Sequence, residues 1–247
     1  MRRRDLFLAL FVLLAIWQVV AMVLNEPILP TPIEVARVFA EELVNGSLGI
    51  HFLASLWRVG LGTFLAIATA VPAGLVLGQS KHLDRVISPY IYILYPIPKV
   101  VLVPVVLLLF GVDNASKIIL IFLVLFFQIL VLVRDQAAGV RTELIQSVRS
   151  LGAGRRALFR FVYLPASFPA ILTALRQSVG TAVAVLYIAE LFATEWGLGY
   201  YIYFNGSTLF NYAAMYAGIV AMSLMGLGLY FGVDWLEKRL VRWQRVT

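Results

Sequence analysis

Apolar residues fall in long runs along this chain, not in alternation. Stretches with few charges run from Leu6 to Leu24, about Phe52 to Leu77, Pro89 to Phe110, Lys117 to Val133, about Ser167 to Ala189, and Tyr212 to Val233. An α-helix needs about 20 residues to cross roughly 30 Å of hydrocarbon. The pattern therefore predicts an all-α membrane protein of about six transmembrane helices. A signal peptide also opens on basic residues such as Arg2, Arg3 and Arg4, but its apolar core is shorter and ends in a small-residue cleavage site. The first run is read as a retained span.

Between the runs the pattern changes. Asn25 to Ile50 is polar, and Pro27, Pro30 and Pro32 keep its start extended. Ile33 to Val44 reads as a short surface helix capped by Thr31. Ser80 to Ser88 is a short connection carrying Lys81 and Arg85. The third run holds Pro89, Pro96, Pro98 and Pro104, which argues against one helix across Tyr95-Pro96-Ile97-Pro98. A short helix, a break and a span from about Lys99 are expected there. Gly111 to Ser116 is a tight turn, Glu190 to Asn211 is rich in Gly, Tyr and Asn, and Asp234 to Thr247 is a basic amphipathic tail.

The longest polar interruption runs from Glu143 to Pro165. Leu144, Val148 and Leu151 share one helical stripe and Leu158, Phe161 and Val162 another, with Gly152 and Gly154 between them. Helix, glycine turn, helix is the expected shape, each helix with one apolar face and Pro165 stopping the second. Arg134, Arg141, Arg149, Arg155, Arg156 and Arg160 lie in or just before it. Such a hairpin suits a protein-docking surface, and equally a helix lying on anionic lipid.

Composition narrows the function. The 247 residues are 62% hydrophobic with mean hydropathy +0.91, so six spans leave no room for a second soluble domain. Residues 1–247 are read as one transmembrane domain, with 134–165 as a loop within it. There is no cysteine, hence no disulfide framework and no thiolate metal site. No Gly-x-x-x-x-Gly-Lys-Ser/Thr stretch occurs, so any ATP is handled by another chain. His51 and His82 read as lone loop histidines, and no metal site is expected. No nucleophile, base and oxyanion donor stand at a workable spacing, so an enzyme is not expected. The net charge of +7 is explained by its placement: fifteen of the twenty Lys and Arg fall at the N-terminus, in 80–88, around the hairpin and in the tail. The positive-inside rule then puts both termini and the hairpin in the cytoplasm, against anionic headgroups and not nucleic acid.

Gly152, nine residues, then Val162-x-Leu164-Pro165 resembles the cytoplasmic signature loop of permease subunits in binding-protein-dependent ABC importers. In that family the loop opens on Glu-Ala-Ala; Gln146, Ser147 and Val148 stand there in this chain. Ser55-Leu56-x-Arg58, Pro96-Ile97-Pro98-Lys99, Leu109-Phe110-Gly111, Ala189-Glu190 and Gly197-Leu198-Gly199 resemble the nitrate, sulfonate and taurine subgroup. The resemblance covers roughly residues 50 to 235. It implies the type I ABC importer permease fold in the bacterial inner membrane, and a pore of two permease copies, read as a homodimer. It also implies two ABC ATPase subunits and a periplasmic or lipid-anchored substrate-binding protein. No cofactor is expected on this chain; ATP and Mg belong to the ATPase. The expected solute is a small anion such as nitrate, a sulfonate, taurine or bicarbonate, although related permeases also carry pyrimidine precursors. Docking to the ATPase falls to Glu143, Gln146, Leu151, Gly152, Ala153, Arg155, Arg156, Leu164 and Pro165.

Charges within spans cost about 2.5–3.5 kcal/mol each at mid-bilayer, so they are candidates for the translocation path. Arg58 sits about two turns into span two and can offer charge to an anion, or serve structurally by binding carbonyls. Lys99 and Arg176 lie near the cytoplasmic interface, where snorkelling is easy; Arg176 is also an inner-gate candidate. Glu190, at the outer end of span five and partly solvated, is a gate or packing candidate. Gln177, Ser178, Thr181 and Tyr187 can line a path or simply bond helices together. Gly74-x-x-x-Gly78 and Gly228-x-x-x-Gly232 permit close helix contact. The alternative to an ATP-driven importer is a secondary transporter or channel, which calls for inverted repeats and paired broken helices. Only one broken segment, near Pro96, is legible.

Overall fold

The computed structural model describes residues 3–192 and 194–241; nothing is described of the side chains of Arg3, Leu6 and Arg155, or of Arg2, Arg242 and Arg245. Every element among the described residues is helical. In order they are α1 (Arg3–Leu24), α2 (Pro32–Val44), α3 (Leu48–Gln79), α4 (Lys81–Leu94), α5 (Val103–Phe110), α6 (Asn114–Ala138), α7 (Thr142–Ser150), α8 (Arg155–Leu158), α9 (Leu164–Leu191), α10 (Leu198–Tyr203) and α11 (Tyr212–Leu240). Five helices are long and apolar enough to cross a membrane, and α4 with Lys99–Phe110 forms a sixth candidate bent by 75°. The bend falls at the expected proline pair. Thr31 caps α2 as expected, its Oγ1 accepting from the Glu34 N–H.

Two boundaries differ from expectation. Ser80 to Ser88 is not a connection but the first two turns of α4, because Ser80 Oγ accepts the Leu83 N–H and starts the helix at once. Pro165 does not stop the hairpin's second helix. Phe159–Tyr163 is π-helical, with the Leu164 N–H reaching back to the Phe159 carbonyl, and α9 continues past Pro165. The wider turn takes up the residue whose ring would otherwise meet the carbonyl four positions back.

The chain divides into two units: Met1–Leu56 with Glu190–Met225, and Trp57–Ala189 with Gly226–Thr247. In the second unit, Gly62, Ala66, Ala70, Gly74 and Gly78 recur every fourth residue of α3, and both alanines are fully buried. A Cβ on Gly78 would lie 2.5 Å from the Ala137 Cβ, and one on Gly62 would lie 2.8 Å from Ile121 Cγ2. The stripe therefore seats α3 against α6, as helices in lipid associate by close packing of small residues. In the first unit, the Trp17 indole donates to the Pro30 carbonyl at 3.1 Å, and Gly218 admits Ile202 and Tyr201 against α11.

Candidate coupling hairpin and intramembrane polar clusters

The hairpin is α7, the turn at Leu151 to Gly154, α8 and the π-helical segment. Gly152 takes φ +84°, a left-handed conformation that glycine adopts without cost. None of the residues of α7 is buried. Leu144 is exposed and Leu151 at the apex is 84% exposed, whereas Val148 is half-buried, so most of the first apolar stripe is left uncovered by the chain. The second stripe splits: Leu158 and Val162 are buried, whereas Phe161 is exposed. The π turn changes the helical period and rotates Phe161 off the face that Leu158 and Val162 share. Glu143, Gln146, Gly152, Arg156 and Pro165 are exposed, and Ala153 and Leu164 are half-buried. Arg155 begins α8, its side chain lying outside the described residues. Arg134 does not belong with these cations. It lies in α6 and holds Asp84 with both Nε and Nη2, Nη2 also donating to Ser88 Oγ at 2.7 Å.

Three motif pieces far apart in sequence meet at Glu190. Its carboxylate is fully buried, not partly solvated as expected. It accepts from Ser55 Oγ at 2.8 and 2.9 Å and from the Gly199 N–H at 2.9 Å. Ser55 Oγ in turn accepts the Leu198 N–H at 2.8 Å, and His51 Nδ1 accepts the Gly197 N–H at 3.0 Å. His51 is thus a buried residue of α3, not a loop histidine. The cluster satisfies the first amides of α10, which have no partner within their own helix.

The other intramembrane cations are similarly engaged. Arg58 is buried and its Nε donates to Asn114 Oδ1 at 2.7 Å. The Lys99 ammonium donates to the Leu94 and Tyr95 carbonyls at 2.7 and 2.6 Å, closing the C-terminal end of α4, and lies 4.6 Å from the centre of the Phe127 ring. Arg176 is neutralised by Asp234 at 3.3 Å and Glu237 at 3.0 Å on α11. Lys117 is fully buried and donates to the Val112 carbonyl. Along α9, Gln177 is exposed and Thr181 half-buried one turn on, while Ser178 is buried and bonded to the Ala174 carbonyl of its own helix. Of the polar candidates on α9, Gln177 and Thr181 share a face that is open in the single chain.

Residues 70–243 match the family described as "Binding-protein-dependent transport system inner membrane component". The chain belongs to this family. Among relatives of this permease, the taurine transport system permease protein TauC of Escherichia coli (strain K12) is 31% identical over 95% of this chain and 87% of its own length. The putative aliphatic sulfonates transport permease protein SsuC of Bacillus subtilis (strain 168) is 32% identical, over 94% and 85%. The fold is shared with a chain of the MetNI methionine ABC transporter solved in inward-facing conformations, with TM-score 0.67, 19% identity and coverage of 78% of this chain and 96% of that one. The protein is accordingly a multi-pass membrane permease of the ABC importer class, in a family whose members are not catalytic.

Among the residues of this permease that sequence reasoning misses are Asp84 and Lys117. Asp84 was not singled out because its partner lies 50 positions away, and Lys117 stood at a span edge with no sign of its burial. A carboxylate and a guanidinium each at a predicted membrane end are the only signal that could have paired Asp84 with Arg134.

Proposed function

We propose that this permease forms the pore of an ATP-driven importer as one of two identical copies, with both termini and the hairpin in the cytoplasm of a cell whose inner membrane it spans. One soluble ABC ATPase docks on each hairpin, and ATP and Mg are held there. A periplasmic or lipid-anchored binding protein delivers the solute to the outer face. The observation that carries this reading is the apex: Leu151 is 84% exposed, at the end of a helix with no buried residue of its own. An apolar side chain raised beside Arg156 supports a protein groove as its cover. Closure of the ATPase dimer on ATP would move the hairpins together and, through the continuous π-to-α9 connection, tilt α9. ATP drives this because the closed ATPase dimer binds it more tightly. Gln177 and Thr181 line the path, while Arg58, Lys99, Arg176 and Glu190 hold its walls in place.

The solute is proposed to be a small anion such as a sulfonate, taurine, nitrate or bicarbonate; relatives named for taurine, aliphatic sulfonates and nitrate support the first three. The docking reading is tested with Arg155→Glu/Arg156→Glu in proteoliposomes containing all partners. ATP hydrolysis should persist while transport is lost; wild-type transport would refute the docking role.

A further inference from the structure

Two adjoining cavities lie within the second unit, the smaller of them against the hairpin. The larger, about 550 Å³, lies between α3, α4 and α6 and is lined by apolar and tyrosine side chains, among them Pro72, Ile87, Tyr90 and Phe126. The smaller, about 410 Å³, shares Val76 and Leu83 with it and adds Gln79, Lys81 and Arg149. No carboxylate lines either cavity among the described residues. An apolar slot thus adjoins a recess with two cations. Phosphate alone would use the recess and leave the slot empty. A helix from a second copy would fill the slot and leave the two cations without a counter-charge.

We propose that the paired cavities hold one anionic phospholipid, an acyl chain in the slot and its phosphate between Lys81 and Arg149. Lys81 is on α4 and Arg149 on α7, so the lipid ties the hairpin to the spans. This inference needs the membrane embedding of the permease but not ATPase docking.

The complete transporter, drawn from its native membrane and exchanged into phosphatidylcholine nanodiscs containing phosphatidylglycerol, is delipidated stepwise and weighed by native mass spectrometry. The wild type should retain one phosphatidylglycerol per permease copy. Lys81→Gln/Arg149→Gln should weaken retention roughly 30-fold, from about fivefold per lost cation. Leu83→Trp, which fills the slot and spares the charges, should also lose the lipid, with an unchanged melting temperature reporting its fold. Arg239→Gln, an exposed cation at the end of α11, should retain it. Displacement by millimolar inorganic phosphate would reduce the recess to a simple anion site and overturn the proposal. So would equal retention by the double variant, indiscriminate retention of phosphatidylcholine, or a lipid-free wild type whose copies stay together.

Discussion

Removing the Glu190 carboxylate should destabilise the permease by an amount that its contacts set. The Ser55 hydroxyl and the Gly199 amide both donate to it, and the site is fully closed to solvent. Glu190→Ala strands both donors, at about 1–3 kcal/mol each. Relief of the buried charge returns part of this, leaving a net loss of roughly 2–4 kcal/mol. For a chain of this size, Tm falls about 2–4 °C per kcal/mol, so a drop of roughly 5–15 °C is expected by scanning unfolding of the purified permease in nanodiscs. Glu190→Gln keeps one acceptor and should lose about half as much. Ser55→Ala removes a donor to Glu190 and the acceptor of the Leu198 amide together, so the Ser55→Ala and Glu190→Gln effects should couple by about 1 kcal/mol in a double-mutant cycle. A Glu190→Ala permease melting within about 2 °C of wild type, or purely additive single effects, would refute the reasoning.

Further outcomes follow from the same geometry. Asp84→Asn breaks the two-point hold on Arg134, and because Asp84 is partly solvated the loss should be about 2–3 kcal/mol in the same unfolding assay, below the figure for a fully buried pair. Gly78→Ala forces α3 off α6 and should cost about 1–3 kcal/mol, whereas Gly228→Ala, with open space around it, should be neutral or stabilising by up to about 1 kcal/mol. A loss of self-association in the Gly228 variant, read by mass photometry, would instead mark that face as the seam between copies. Gly152→Val puts a branched residue at φ +84°, straining the turn by about 1–2 kcal/mol; ATPase co-purification should drop while the spans keep their melting temperature.

Span count, the proline break and the hairpin were legible because each is local: a run length, a ring without an amide hydrogen, a change of period. The π segment was not, since Phe159 to Tyr163 reads as ordinary helix and only the accommodation of Pro165 reveals it. Gly74-x-x-x-Gly78 and Gly228-x-x-x-Gly232 look alike in sequence, yet Gly74 and Gly78 meet α6 while Gly228 and Gly232 meet nothing within 4 Å. The partners of Glu190, Arg134 and Arg176 lie 135, 50 and 58 positions away, beyond the reach of any periodicity. The motif pieces around Ser55, Glu190 and Gly197 were each visible, and their hydrogen bonds explain why one chain carries all three.

The intact mass of the complex drawn gently from the native membrane tests the central claim most directly. Two copies of this permease with two soluble ATPases are expected, and Leu151→Glu should release the ATPases while leaving the permease pair. Transport by a particle that contains this chain and no ATPase would contradict the account.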